Sequence, residues 1–417
     1  MIKLTKLQKD IADKATAIIR EKHLCYFAIE MRIGKTLIAL ETANRLKKKS
    51  VLFITKKKVI AGVNADYLKR KHDFKMKVIC NSYQAIDKEI VNRENYDLII
   101  LDEAHCYGAF PKPNRNCLSA IKLVNDIDVI FLSGTPSPES SGSQLFFQLA
   151  ISKYSVFAPY GRSERSFYKW AKDYVKIKQI MIGGRLLKNY SNADFERILK
   201  ETDCIMIKAS QTEAGIKSEI KEHAITIKAP SDISMLIELL KKDKYIKAGK
   251  FEIVADSTLK EMQKLHQIGS GTVICENGEA IILSDYKARY IVENFKQKKI
   301  AIFYVFNAEG ELLRHYFRNY TEDPNEFNNS KDKVFICQIT KGSMGISLKT
   351  ADVLIFYNLC FSSVHYWQGR ARMASYDRNS VQNVYYLFSD CGLESKVYNA
   401  VINKKSFTTN YYRRYGK

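Results

Sequence analysis

Leu24-Cys25-Tyr26-Phe27-Ala28-Ile29-Glu30-Met31-Arg32-Ile33-Gly34-Lys35-Thr36 runs from an unbroken apolar stretch through a short polar turn into a Gly-Lys-Thr triplet. A continuous apolar run bounded by a turn predicts a buried strand, and the residues from Lys35 onward carry helical spacing. A Gly-Lys-Thr at a strand-to-helix turn is the core of a phosphate loop. The glycine lets the backbone bend close to phosphate, and successive N–H groups at the helix start then face the anion. In that geometry Lys35 reaches the β- and γ-phosphates of ATP, and Thr36 holds Mg2+. The full pattern asks for glycine at position 29, where this chain carries Ile29.

The same alternation spreads outward from this loop. A helix is predicted over 7–20, and further short apolar runs lie at 51–54, 78–80, 98–101 and 129–132. Strands this apolar, separated by helical segments, predict a parallel sheet covered on both faces. The alternation returns after residue 273, with runs at 300–306, 334–337, 353–356 and 384–388. The expected fold is α/β, with one such domain over 1–138 and a second over 273–417. Between them, 139–272 places Lys, Glu, Tyr and Ile at helical spacing, as over 232–247. That texture predicts a mostly helical insertion, with a hairpin around Ile182-Gly183-Gly184-Arg185.

The run at 98–101 ends in Asp102-Glu103-Ala104-His105. Two adjacent carboxylates at the C-terminal end of a strand sit where open α/β sheets bind ligands. Asp102 can hold Mg2+ there, while Glu103 can orient and deprotonate an attacking water. Ser133-Gly134-Thr135-Pro136 follows the next strand and offers small hydroxyls beside the same edge.

Composition bears on partners. The 417 residues hold 67 Lys+Arg against 45 Asp+Glu, a formal charge of +22. A surplus that large favours a polyanion such as nucleic acid, whose counterions the basic residues displace. The nine cysteines form no C-x-x-C pair, which argues against a zinc ribbon or finger and for a reduced, intracellular setting. No stretch approaches the roughly 18–20 apolar residues of a membrane span, and the first residues lack the apolar core of a signal peptide. The sequence therefore predicts a soluble protein with no membrane partner.

With these motifs in this order, the chain resembles the superfamily-two helicases. The likeness is to the SWI/SNF-like branch found in bacteriophages, related to chromatin remodellers, and it runs from Gln8 to the Arg370–Arg372 region. The resemblance implies two RecA-like domains that clamp one Mg-ATP. Gln8 would read the adenine, Gly34, Lys35 and Thr36 form the first motif, and Asp102 to His105 match the DEAH box. Thr55, Lys56, Ser82 and Tyr83 match elements that grip a nucleic-acid backbone. Gly345-Ile346-Ser347-Leu348 resembles the fifth motif, with Gly345 toward nucleotide and Ser347 toward nucleic acid.

The stretch Tyr366 to Met373 resembles the sixth motif, in which an arginine of the second domain stabilises charge on the transferring phosphoryl group. Aligning Asn358 and Gln368 puts Arg372 on the first motif arginine and Ser375 on the second, so Arg370 and Arg372 both remain candidates. The implied activity is ATP hydrolysis coupled to movement along DNA, duplex or branched, by a monomer, in the host cytoplasm if phage-encoded. An RNA helicase and a nucleotide-switched DNA-binding protein without motor activity are the alternatives.

Overall fold

The computed structural model describes residues 4–412 apart from 70–71, 138–140, 183–184, 217–218, 250, 343–345, 375–379, 404, 406–407 and 409–411. The chain divides into two compact units, Met1–Gly215 and Ile216–Lys417.

In the first unit the strands are Leu24–Ile29 (β1), Ser50–Thr55 (β2), Lys77–Ser82 (β3), Leu98–Leu101 (β4), Asp128–Ser133 (β5), the pair Lys178–Ile182 (β6) and Arg185–Asn189 (β7), and Met206–Ala209 (β8). Six of them form one parallel sheet in the order β3-β2-β4-β5-β1-β8. Successive side chains of a strand point to opposite faces, and here both faces are dry. Leu24 and Tyr26 join one core, while Cys25, Phe27 and Ile29 join the other. That two-sided burial is why the strands carry no polar alternation. The helix Lys6–Lys22 covers one face with Ile11, Ala12, Ala15 and Ile19, and starts at a capping box between Thr5 and Gln8.

In the second unit the strands are Ile220–Ile227 (β9), Tyr245–Ala248 (β10), Phe251–Val254 (β11), Thr272–Ile274 (β12), Ala280–Ile282 (β13), Ile300–Tyr304 (β14), Tyr320–Thr321 (β15), Val334–Gln338 (β16), Val353–Phe356 (β17) and Gln382–Ser389 (β18). The parallel sheet has the order β15-β16-β14-β17-β18-β9, and β10/β11 and β12/β13 are separate antiparallel pairs. The fold is thus α/β with two six-stranded parallel sheets, as expected.

The expected insertion needs correction. The stretch 139–272 is shared between the units: β8 closes the edge of the first sheet and β9 the edge of the second. It contains helices such as Glu164–Tyr174 and Thr258–Gly269, but also β6 to β11. The helix expected through 247 stops at Asp243, because Lys244 turns left-handed (φ +59°) and Tyr245 begins a strand. The hairpin expected near 182–185 is present as β6 and β7, with Met181 opposite Leu186. Among the described residues, no helix is long and apolar enough to cross a membrane.

Candidate nucleotide-binding site

Three strands of the first sheet, β1, β4 and β5, end side by side and deliver the residues singled out in the sequence. After β1 the chain turns through Glu30 to Gly34, with Arg32 at φ +71° and Gly34 at φ +90°, and enters the helix Lys35–Arg45. Left-handed residues interleaved with ordinary ones turn backbone N–H groups into a concavity that suits an anion. Glycine suits position 34 by its φ, which other residues rarely adopt, and an added Cβ would stand 2.8 Å from Gln8 Nε2, so that the Gln8 amide would have to shift off the loop. Lys35 Nζ donates to the carbonyls of Ile29 (2.9 Å) and Glu30 (3.2 Å), the inner rim of the loop. Thr36 follows in the first turn of the helix, half-buried.

Asp102, just beyond β4, is held from four directions. Its amide donates to Ile54 O, its Oδ2 accepts from Thr55 Oγ1 (2.7 Å), its Oδ1 from the Glu103 amide (2.9 Å), and its carbonyl from the Tyr83 hydroxyl (2.7 Å). Burial, together with the neighbouring Glu103 charge, pushes the Asp102 carboxyl up to about 6. Glu103 adopts φ +45°, and its Oε2 lies 3.3 Å from His105 Nδ1. Burial, reinforced by the Lys56 charge, lowers His105 to about 4, so the ring is neutral at pH 7. The same Nδ1 lies 3.1 Å from Ser133 Oγ, which also accepts from the Thr135 amide. A Cβ on Gly134 would stand 3.5 Å from Lys35 Nζ. The phosphate loop, the Asp-Glu pair and Ser133–Thr135 therefore form one contiguous site.

Several expectations change in detail. Thr55 and Tyr83 were expected to grip a nucleic-acid backbone. Instead Thr55 is wholly buried and both hydroxyls are committed to Asp102. Lys56 and Ser82, beside them, are half-buried at the strand ends. Gln8 sits against the loop, but both ends of its amide serve backbone: Nε2 donates to Ile33 O (2.8 Å), and Oε1 accepts from the Thr5 amide (3.0 Å). It braces the loop rather than presenting an open adenine-reading amide.

Sequence reasoning missed a second brace. Gln211 donates through Nε2 to Met31 O and through its amide to Glu30 Oε2, at 3.0 and 2.8 Å. No motif marks it, since its partners lie about 180 residues upstream.

In the second unit the fifth- and sixth-motif stretches lie together: the Leu348 amide donates to Arg372 O (2.9 Å), and Arg372 Nη1 to Ile346 O (3.4 Å). Ser347 is half-buried, and its carbonyl accepts from Asn328 Nδ2. Gly345 lies outside the described residues. Arg370 is engaged by Glu222 of β9 at 2.6 Å.

The first-unit site suits a magnesium nucleotide. A carboxylate and a threonine hydroxyl are hard oxygen ligands, and Lys35 with the loop amides are phosphate donors. A carboxyl held at about 6 by burial is one that a cation would stabilise in its charged form.

No protein-family model matches the sequence. Among curated proteins, the chain is 22% identical over 407 residues to a Xenopus tropicalis protein, the SWI/SNF-related matrix-associated actin-dependent regulator of chromatin subfamily A-like protein 1, covering 89% of this chain and 41% of that one. The chain is similar to SWI/SNF-related proteins. The Xenopus laevis counterpart is 23% identical over 327 residues, covering 72% of this chain and 31% of the relative. The chain thus spans about two fifths or less of the length of these curated relatives. Among solved structures, the Sulfolobus solfataricus SWI2/SNF2 ATPase core in complex with dsDNA matches with TM-score 0.42 at 16% identity, covering 96% of this chain and 91% of that one. The Pyrococcus furiosus Hef helicase domain matches with TM-score 0.47 at 13% identity, covering 94% and 96%.

Proposed function

We propose that this chain is an ATP-dependent DNA translocase or helicase of the SWI/SNF-like kind, with the DEAH-box chemistry of the branch found in bacteriophages. The observation that carries this reading is the convergence of Lys35, Asp102 and Glu103 at the C-terminal ends of adjacent strands, with Asp102 fixed by Thr55 and Tyr83.

Lys35 exchanges its loop carbonyls for phosphate oxygens, and the loop amides hold the rest of the anion. Thr36 and Asp102 hold Mg2+, which when bound screens the charge of the β- and γ-phosphates. Glu103 accepts the proton of the attacking water, and neutral His105 ties that carboxylate to Ser133. Arg372 or Arg370 of the second unit supplies the positive charge that stabilises the transferring group. The +22 charge supports a polyanionic track. Similarity to proteins described as regulators of chromatin favours DNA over RNA.

The test is ATP turnover measured against single-stranded DNA, duplex DNA, a forked junction and RNA. Stimulation by DNA is expected. Stimulation by RNA alone would turn the reading to an RNA helicase, and no stimulation by any of the four would leave a nucleotide-switched binder.

A further inference from the structure

Gln8 lies against the phosphate loop and is only 6% exposed. Its side chain serves two structures at once. Oε1 accepts from the Thr5 amide (3.0 Å) while Thr5 Oγ1 accepts from the Gln8 amide (3.2 Å), which is the capping box of the helix Lys6–Lys22. Nε2 donates to Ile33 O (2.8 Å), a buried bond between residues 25 apart in the sequence. The Ile33 side chain is wholly buried in the core that also holds Ile11 and Ala12 of that helix. Arg45 Nη1 donates to Lys9 O (3.2 Å), so the same helix is tied to the one that follows the loop.

These bonds act on the loop backbone. A trans peptide points its C=O and the following N–H in opposite directions. Pinning Ile33 O therefore fixes the direction of the Gly34 N–H, one of the donors that a phosphate loop offers to an anion. Gln211 does the same two residues earlier: its Nε2 holds Met31 O (3.0 Å), which fixes the Arg32 N–H. Arg32 and Gly34 are the two left-handed residues of the turn. The two glutamines thus set the amides at the two points where the loop bends.

Reading a base takes an amide edge open to that base. At Gln8 the carbonyl end is spent on Thr5 and the amino end on Ile33, and the Gly34 backbone stands so near Nε2 that a Cβ there would come within 2.8 Å. A buried polar side chain that already has its partners gains nothing from one base over another.

We propose that Gln8 is a positioning residue for the triphosphate, and that the site selects nucleoside triphosphates by their phosphates and not by their base, so that GTP and CTP serve as substrates alongside ATP. This rests on the motor reading above. Phosphate release by the full-length protein is measured with the magnesium salts of ATP, GTP and CTP, in the presence of whichever DNA stimulates turnover most. The three values of kcat/KM should agree within about fivefold, where a site that hydrogen-bonds the base separates them by orders of magnitude.

Gln8→Glu then tests the route. Glutamate is a usual partner of threonine in a capping box, so the helix start is kept, but a carboxylate cannot donate to Ile33 O. KM should rise about tenfold for all three nucleotides with kcat little changed, as the loss of one buried hydrogen bond predicts. Gln211→Ala, at a half-buried residue with no part in the cap, should raise KM in the same base-independent way. An ATP preference above about fiftyfold in the wild type overturns the proposal. So does a Gln8→Glu variant that alters the ratio of ATP to GTP turnover, since exchanging a donor for an acceptor at a base edge would do so. Release from none of the three nucleotides with any DNA would count instead against the motor reading.

Discussion

Arg370 Nε donates to Glu222 Oε1 at 2.6 Å, joining residues 148 apart in the sequence. The same oxygen accepts from the hydroxyls of Tyr366 (2.9 Å) and Tyr386 (2.7 Å), and the guanidinium lies 5.2 Å from the Trp367 ring centre. Arg370 is thus part of an aromatic-walled ion pair that ties the sixth-motif helix to the edge strand β9.

Glu222→Ala and Arg370→Ala should each lower the unfolding midpoint of the second unit, and the double variant should lower it by less than the sum. A coupling of about 1–2 kcal/mol is expected for a contacting charged pair. Denaturant titration of the four proteins measures it. Strict additivity would mean that the pair contributes no stability.

Thr55 is isosteric with valine, and its hydroxyl serves Asp102. Thr55→Val should leave the fold intact and weaken Mg-ATP binding about tenfold, since a hydrogen bond to a charged group is worth roughly 1.5 kcal/mol or more. Titration calorimetry at pH 7 checks it. Were Thr55 a nucleic-acid grip instead, the loss would fall on DNA affinity with nucleotide binding intact.

What the sequence disclosed and what it hid divide along burial. β1, β4 and β14 are dry on both faces and therefore spelled as unbroken apolar runs. β8 and β9 are edge strands, with Lys208 exposed in one and a half-buried, alternating pattern in the other. An edge strand carries polar residues at positions a central strand would keep dry, so 139–272 looked like an insertion. Lys35, Asp102 and Glu103 stand out in the sequence because phosphate and metal chemistry would restrict residue type and spacing, and the fold brings them to adjacent strand ends. At Thr55 and Tyr83 the sequence is silent on the partner, because a hydroxyl at a strand end suits a phosphate or a carboxylate equally, and here both donate to Asp102. Gln211 and Glu222 act across long sequence separations that no local pattern encodes.

His266 is wholly buried, with Nε2 bonded to Asn358 Oδ1, the rings of Phe306 and Phe361 edge-on, and the charges of Glu394 and Lys287 nearby. Burial lowers it from 6.5 to about 4. In that window the unfolded chain takes up a proton that the folded one refuses. Stability is therefore lost as pH falls from about 6.5 toward 4, by about 2–3 kcal/mol for this group. Glu309, raised by burial, works in the opposite direction. The informative comparison is thus wild type against His266→Gln, whose unfolding free energy should fall less steeply over that range. Parallel pH profiles would refute the assignment.

The measurement that bears most directly on the proposed catalytic site is made on Glu103→Gln, with ATP binding and DNA-stimulated phosphate release followed in the same sample. Glu103 is expected to move a proton, not to hold the nucleotide. ATP affinity should stay within about threefold of wild type while phosphate release falls by about 10²–10⁴. Near-normal phosphate release from the variant would contradict Glu103 as the base, and with it the hydrolytic site built around Lys35 and Asp102.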